Sequence, residues 1–174
     1  MTTSVRADVT PDIGESRMTR ALLAILRIGV ALLWIENAGW KKPPDFTSLQ
    51  KSTMYAVEYP VFPPFTWMIE QVVLPNFMIF GWATLLLEAS LGAFLLLGLA
   101  TRLWALVGLG QTLAITLSVL NAPNEWEWSF YLMMLAHVAL FATAAGRVHG
   151  LDGVLRPMWR VSSARTARLL MRLS

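Results

Sequence analysis

Four polar side chains stand inside otherwise apolar stretches of this sequence: Arg27, Glu88, Gln111 and His137. A guanidinium, a carboxylate, an amide and an imidazole can hold a proton, an anion or the oxygens of a small carbonyl ligand. Each lies on a different stretch. At about 1.5 Å of rise per residue, Arg27 lies roughly 13 Å in from Met18 and Gln111 roughly 12 Å in from Leu103. His137 is about as deep counted back from Ala145, and Glu88 lies roughly 18 Å in from Ala100. These depths put all four in one layer. A lone charge at such depth in lipid costs about 2.5–3.5 kcal/mol. The expectation is therefore that Arg27 and Glu88 pair across neighbouring helices, with Gln111 and His137 completing the hydrogen bonds. Three readings of the layer stay open: Arg27 reaching back to the interface, a structural pin that fixes helix register, or a site for a proton, a quinone headgroup or a small anion.

A second polar group gathers near the end of the first stretch: Trp34, Glu36, Asn37, Trp40, Lys41 and Lys42. Glu36 and Trp40 are one helical turn apart, as are Asn37 and Lys41. The group reads either as an interfacial anchor or as an outward-facing pocket under the proline-rich segment that follows. Glu36 lies roughly 13 Å along the helix from Arg27 and on its opposite side, so the two groups are read as separate. No nucleotide-binding loop, metal-ligand cluster or nucleophile–base pair is present. A lone His137 reads more readily as a satisfied buried histidine than as a ligand. The absence of cysteine excludes a disulfide, a dithiol pair and a Cys-ligated cluster. With only His137 and His149, a bis-histidine haem does not fit either. No intrinsic cofactor is expected, and an electron carrier would belong to a partner or be a diffusible quinone.

These residues sit in helices built for lipid. Of 174 residues, 56% are apolar and 14% charged, against about 45–50% and about 25% in soluble domains. The excess falls in four runs, Ala21–Trp40, Phe77–Ala100, Leu103–Leu120 and Phe130–Ala145. Each is close to the roughly 20 residues that cross a hydrocarbon core. The fold expected is all-α: an integral membrane four-helix bundle over residues 17–153, with helices near 18–41, 76–100, 102–120 and 127–146. Residues 1–16 read as a disordered N-terminus, and the first helix as an uncleaved anchor. Between helices one and two, Lys41–Pro75 reads as a cap, with a short helix over Thr47–Glu58 and an amphipathic piece over Phe65–Val73. The tight turn at Arg102 makes helices two and three antiparallel neighbours. Ala89/Ala93, Gly110/Ala114 and Ala142/Gly146 are spaced for close helix packing; a homo-oligomer stays open. Arg147–Gly153 reads as a turn.

Residues 154–174 form a basic amphipathic tail, with a helix over 158–174. Arg165, Arg168 and Arg172 share one stripe of it, and attraction to anionic lipid is the expected role, with docking of a soluble partner as the alternative. Arginines at the N-terminus (Arg6, Arg17, Arg20), in the second turn (Arg102) and in the tail oppose Lys41, Lys42 and Lys51 on the other side. The positive-inside rule then places both termini in the cytoplasm.

The order and spacing of several pieces resemble the DoxX family, which includes the DoxD-type subunits of thiosulfate:quinone oxidoreductase. The pieces are Arg27 with Gly39-Trp40-Lys41-Lys42, Leu87-Glu88 with Leu91-Gly92, the run Leu96–Arg102, an acidic and aromatic start to helix four, and Gly146-Arg147 with Gly150-Leu151-Asp152. The resemblance covers about residues 20–153. It implies a four-helix inner-membrane protein, similar in some members to quinone-linked sulfur-oxidising subunits. In others it implies a membrane anchor for a superoxide dismutase and a thiosulfate sulfurtransferase. The expectation is an inner-membrane subunit that anchors or organises a redox or sulfur-metabolism complex and offers a quinone-accessible polar site. The alternatives are a small-molecule or proton permease using the Arg27–Glu88 layer, or an assembly factor without ligand. The expected partners are the lipid bilayer and soluble or membrane redox proteins, not nucleic acid.

Overall fold

The computed structural model describes residues 16–162 and 164–174. The expected loose N-terminus lies, apart from Ser16, outside the described residues. Ser16 caps the first helix: its hydroxyl oxygen accepts from the Thr19 N–H at 3.0 Å, filling one of the donors a helix start leaves open.

The described residues contain helices and no strand. The α-helices are α1 (Arg17–Gly39), α2 (Thr47–Glu58), α3 (Pro63–Met68), α4 (Phe77–Leu97), α5 (Thr101–Val119), α6 (Glu127–Thr143), α7 (Leu151–Val161) and α8 (Arg165–Leu173). A π turn (Ile69–Val73) and a 3-10 turn (Leu74–Asn76) join α3 to α4. Pro75 therefore sits in a tightened turn of a helix running from Pro63 to Leu97, rather than starting a new one. Among the described residues, three helices are long and apolar enough to cross a membrane: Arg17–Gly39, Pro63–Leu97 and Thr101–Val119. The helix α6 is apolar too but shorter, at 17 residues.

These helices turn large apolar side chains outward and polar ones inward, the arrangement lipid demands. Leu22, Ile25, Leu32, Leu86, Leu106, Leu132 and Leu135 are exposed, whereas Arg27, Glu88, Thr112 and His137 are buried. Helix α1 lies along α4, α5 lies along α6, and contacts of α4 with α5 and of α1 with α6 complete the packing. Val30, Ala31, Trp34, Leu91, Leu95, Ala105, Leu140 and Ala145 form the common core. The spaced small residues do not all serve this packing: Ala89, Ala93 and Gly110 face outward. The close approaches are at Gly92, where a Cβ would meet Ile35 and the Ala31 carbonyl, and at Gly108, where it would collide with the His137 ring.

The segment between α1 and α4 has its own core of Phe46, Ala56, Ile69, Val73 and Phe77. It packs on α4 and α5. Phe46 anchors it, edge-on to Trp82 at 5.4 Å between ring centroids and against the bare backbone of Gly81.

At the opposite end, Gly98 takes a left-handed conformation (φ 66°) to end α4. The segment Arg147–Gly153 is not only a turn, because α7 begins within it at Leu151. The buried Asp152 carboxylate accepts from the N–H groups of Ala100 (2.7 Å) and Thr101 (2.9 Å), capping α5 from across the fold. The tail is two helices rather than one. Its second helix, α8, buries Ala167 and packs on α7 and α5.

Candidate functional site

Glu88 is fully buried, and its partners differ from those expected. The Lys41 ammonium lies 2.5 Å from one carboxylate oxygen. The Gln111 amide N–H donates to the other at 3.0 Å. Lys41 also donates to the Asn37 carbonyl at 2.7 Å and sits 4.3 Å from the centre of the Trp40 ring. It is itself only 3% exposed. A buried ion pair recovers its desolvation only when its remaining hydrogen-bonding capacity is also met. Here the ammonium neutralises the carboxylate, Gln111 donates to one carboxylate oxygen, and Asn37 accepts from the ammonium, while the carboxylate oxygen facing Lys41 has no hydrogen-bond donor besides that ion pair.

Arg27 is not part of this cluster. Its guanidinium donates to the carbonyls of Leu95 (2.5 Å) and Leu96 (2.6 Å), in the last turn of α4, and to the His149 carbonyl at 3.0 Å. These carbonyls belong to the last turn of α4, where a cation is favoured by the helix dipole. The expected Arg27–Glu88 pair is thus replaced by Lys41–Glu88. The reason is register: α1 begins roughly ten residues, or about 15 Å, beyond the level at which it meets the end of α4. Depth counted from the two helix ends therefore misaligned them. The permease reading built on an Arg27–Glu88 layer loses its geometry with that pair.

His137 is separate again. Its Nε2 accepts from the Trp34 indole N–H at 2.9 Å, so its Nδ1 carries the proton and donates to the Met133 carbonyl at 2.7 Å. Both ring nitrogens are used, and the neutral imidazole is a structural fixture between α1 and α6. The four-residue layer therefore resolves into three places: Glu88 with Gln111, His137 with Trp34, and Arg27 alone at the end of α4.

The group at the end of α1 also divides. Lys41 and Trp34 turn inward to Glu88 and His137. Glu36 and Lys42 are exposed, and the Trp40 indole donates to the Asn37 side chain at 3.2 Å. Arg165, Arg168 and Arg172 all project outward from α8.

Above the Lys41–Glu88–Gln111 cluster lies a cavity of about 230 Å³. The segment before α4 roofs it with Leu49, Phe65, Met68 and Ile69, and Phe80 and Ile115 form walls. Polar groups converge at the floor beneath apolar sides, the usual makeup of a small-molecule site. Its volume is below the roughly 300–1,000 Å³ of drug-sized pockets and suits one ring-sized headgroup. Sequence reasoning singled out Lys41 and Glu88 but not their pairing, and the lining residues Ser52, Thr53 and Thr84 gave no signal. A second cavity of about 380 Å³, lined by Trp34, Glu36, Asn37, Trp40, Thr112 and Ser129 among others, adjoins it across Asn37 and Trp40.

Residues 22–173, nearly the whole chain, match the sequence model of a family described as DoxD, the TQO small subunit. Neither a curated protein nor a solved structure matches the chain.

Proposed function

The chain belongs to the DoxD family, and from that premise we propose that it is the small membrane subunit of a quinone-linked oxidoreductase of the thiosulfate:quinone type. In this reading the cavity over Lys41, Glu88 and Gln111 receives the quinone headgroup. The observation that carries the reading is the meeting of a buried ion pair and an amide in a ring-sized chamber lined mainly by apolar side chains, with a few hydroxyls among them.

The residues fit such a group. A quinone headgroup is a flat apolar ring with two carbonyl acceptors. Lys41 keeps one N–H beyond its bonds to Glu88 and Asn37, and that donor suits a carbonyl. Gln111 donates to Glu88 and keeps its own carbonyl oxygen as an acceptor for a hydroxyl. Glu88 holds both side chains in place and is the group nearest to hand for taking up a proton. Phe65, Met68 and Phe80 provide the apolar sides. A bound quinone would supply a two-electron, two-proton couple; the chain's own part is to bind, orient and keep water from it. Electrons would come from a redox partner that the subunit anchors.

The same reading takes α6 as a fourth span, since Leu132, Leu135 and Val138 turn outward on it like the leucines of the longer helices. With four spans, the arginine distribution supports a reading in which both chain ends lie on the inner side of a cell membrane.

The test is quinone titration of the full chain in lipid nanodiscs, followed by quenching of tryptophan fluorescence. Saturable binding is expected, weakened about tenfold or more by Lys41→Met and by Glu88→Gln. Glu36→Gln, outside the chamber, should leave it unchanged. No saturable binding to the unaltered protein would remove the quinone site and leave an assembly role.

A further inference from the structure

The far end of the fold, opposite the chamber, carries a second surface that quinone chemistry does not use. Leu96 and Leu97 are exposed in the last turn of α4, and α7 runs close beside them. Leu151, Val154, Met158 and Val161 follow at helical spacing along one face of α7, and all project outward, Val161 being 87% exposed. The other face is committed to the protein: Asp152 caps α5, and Arg156 donates to the Met171 carbonyl at 2.8 Å and the Ser174 hydroxyl at 2.8 Å. Leu96, Leu97, Leu151 and Val154 line one open cavity of about 490 Å³ with Arg147 and His149 at its edge.

Two features say what this cavity takes. The first is continuity. Its apolar wall extends the outward flank of α4, which faces acyl chains in a membrane protein, and an amphipathic helix at the end of a span lies naturally in the headgroup plane. The second is charge. Burial and then the neighbouring Arg156 and Arg102 push the Arg147 pKa down, and Asp152 pulls the other way. Both Asp152 oxygens already accept from α5 N–H groups. Arg147 itself spends one N–H on the Ser174 carbonyl at 2.9 Å. Positive charge is crowded here, beside an apolar wall. A soluble acidic partner would answer the arginines but not the leucines; an anionic phospholipid answers both.

We propose that this cavity binds an anionic phospholipid, with its headgroup phosphate at Arg147 and an acyl chain along Leu96 and Leu97. The apolar face of α7 lies in the same leaflet. The outward arginines of α8 do not line the cavity and are not needed for it.

Native mass spectrometry of the full chain, released from detergent with phosphatidylglycerol or phosphatidylcholine added, tests the assignment. The unaltered protein should retain phosphatidylglycerol several-fold better. Arg147→Gln should reduce that preference about fivefold, the scale of one basic residue at an anionic surface, and Arg147→Lys should restore most of it. Because Arg147 also holds Ser174, the unaltered protein supplies a second arm: raising salt before release should lower retention of phosphatidylglycerol and not of phosphatidylcholine. Equal retention of the two lipids by the unaltered protein would overturn the site. So would a preference that neither salt nor Arg147→Gln changes.

Discussion

The Lys41 ammonium lies 2.5 Å from the Glu88 carboxylate, although one residue follows the end of α1 and the other sits midway along α4. The register of the two helices explains it. Arg27 meets Leu95 and Leu96, and Gly92 faces Ala31 and Ile35. Another turn along α4, Glu88 falls level with the end of α1. The four-carbon stem of Lys41 covers the remaining distance, burying its methylenes while bringing its charge to the carboxylate.

Breaking this pair should cost far more than replacing it whole. Lys41→Met or Glu88→Gln alone leaves a buried polar or charged group without its partner, and each should destabilise the protein by about 3–5 kcal/mol. The double variant should lose clearly less than the sum. Arg27→Gln combined with Glu88→Gln should instead be additive within about 0.3–0.5 kcal/mol, as for independent sites. Unfolding in detergent micelles measures all of these.

The cap on α5 is a separate contribution. Asp152→Ala removes the acceptor for two buried backbone N–H groups, and a loss of about 0.5–2 kcal/mol is expected. Asp152→Asn keeps one oxygen and should lose less. Thermal unfolding of the two variants side by side gives the order.

His137 should behave as a structural group. Gly108→Ala drives a methyl into its ring and should destabilise by about 1–3 kcal/mol. Trp34→Phe strands the imidazole Nε2 at a similar cost of about 1–3 kcal/mol. Nitrogen-15 spectra of the labelled histidine should show the proton on Nδ1 in the unaltered protein.

Reporter fusions check how the chain sits in the bilayer. Fusions at Ser48 and Asn124 should read as external and one at Ser174 as internal. An internal signal at Ser48 would reverse the orientation drawn from the arginines.

The helices were legible because lipid allows few alternatives: apolar runs of spanning length and proline stops mark α1 and α5, and the short helix Thr47–Glu58 stands where its sequence suggests. That Glu88 and Lys41 are special was legible too, as charges too deep or too close to apolar runs to ignore. Their pairing was not. It depends on how far α1 slides past α4, and that offset is set by Gly92 against Ala31 and by Arg27 at the last turn of α4. Asp152 was visible only as part of a glycine-rich turn, because the N–H groups it caps belong to Ala100 and Thr101, far away in sequence. The amphipathic character of the tail was legible, but not that α8 buries Ala167 against the protein and leaves Leu169 exposed, while α7 turns its apolar face outward. Periodicity reports a face and not what covers it.

The proposed occupant of the chamber over Lys41, Glu88 and Gln111 is a quinone headgroup. Photo-crosslinking with an azido-quinone in nanodiscs, followed by peptide mapping, tests it most directly. Labels are expected on Leu49–Thr53 and Phe65–Val73, which line the chamber, and should be competed away by unlabelled quinone and lost in Lys41→Met. Labelling confined to the outward faces of α5 and α6, unchanged by competitor or by Lys41→Met, would contradict the account.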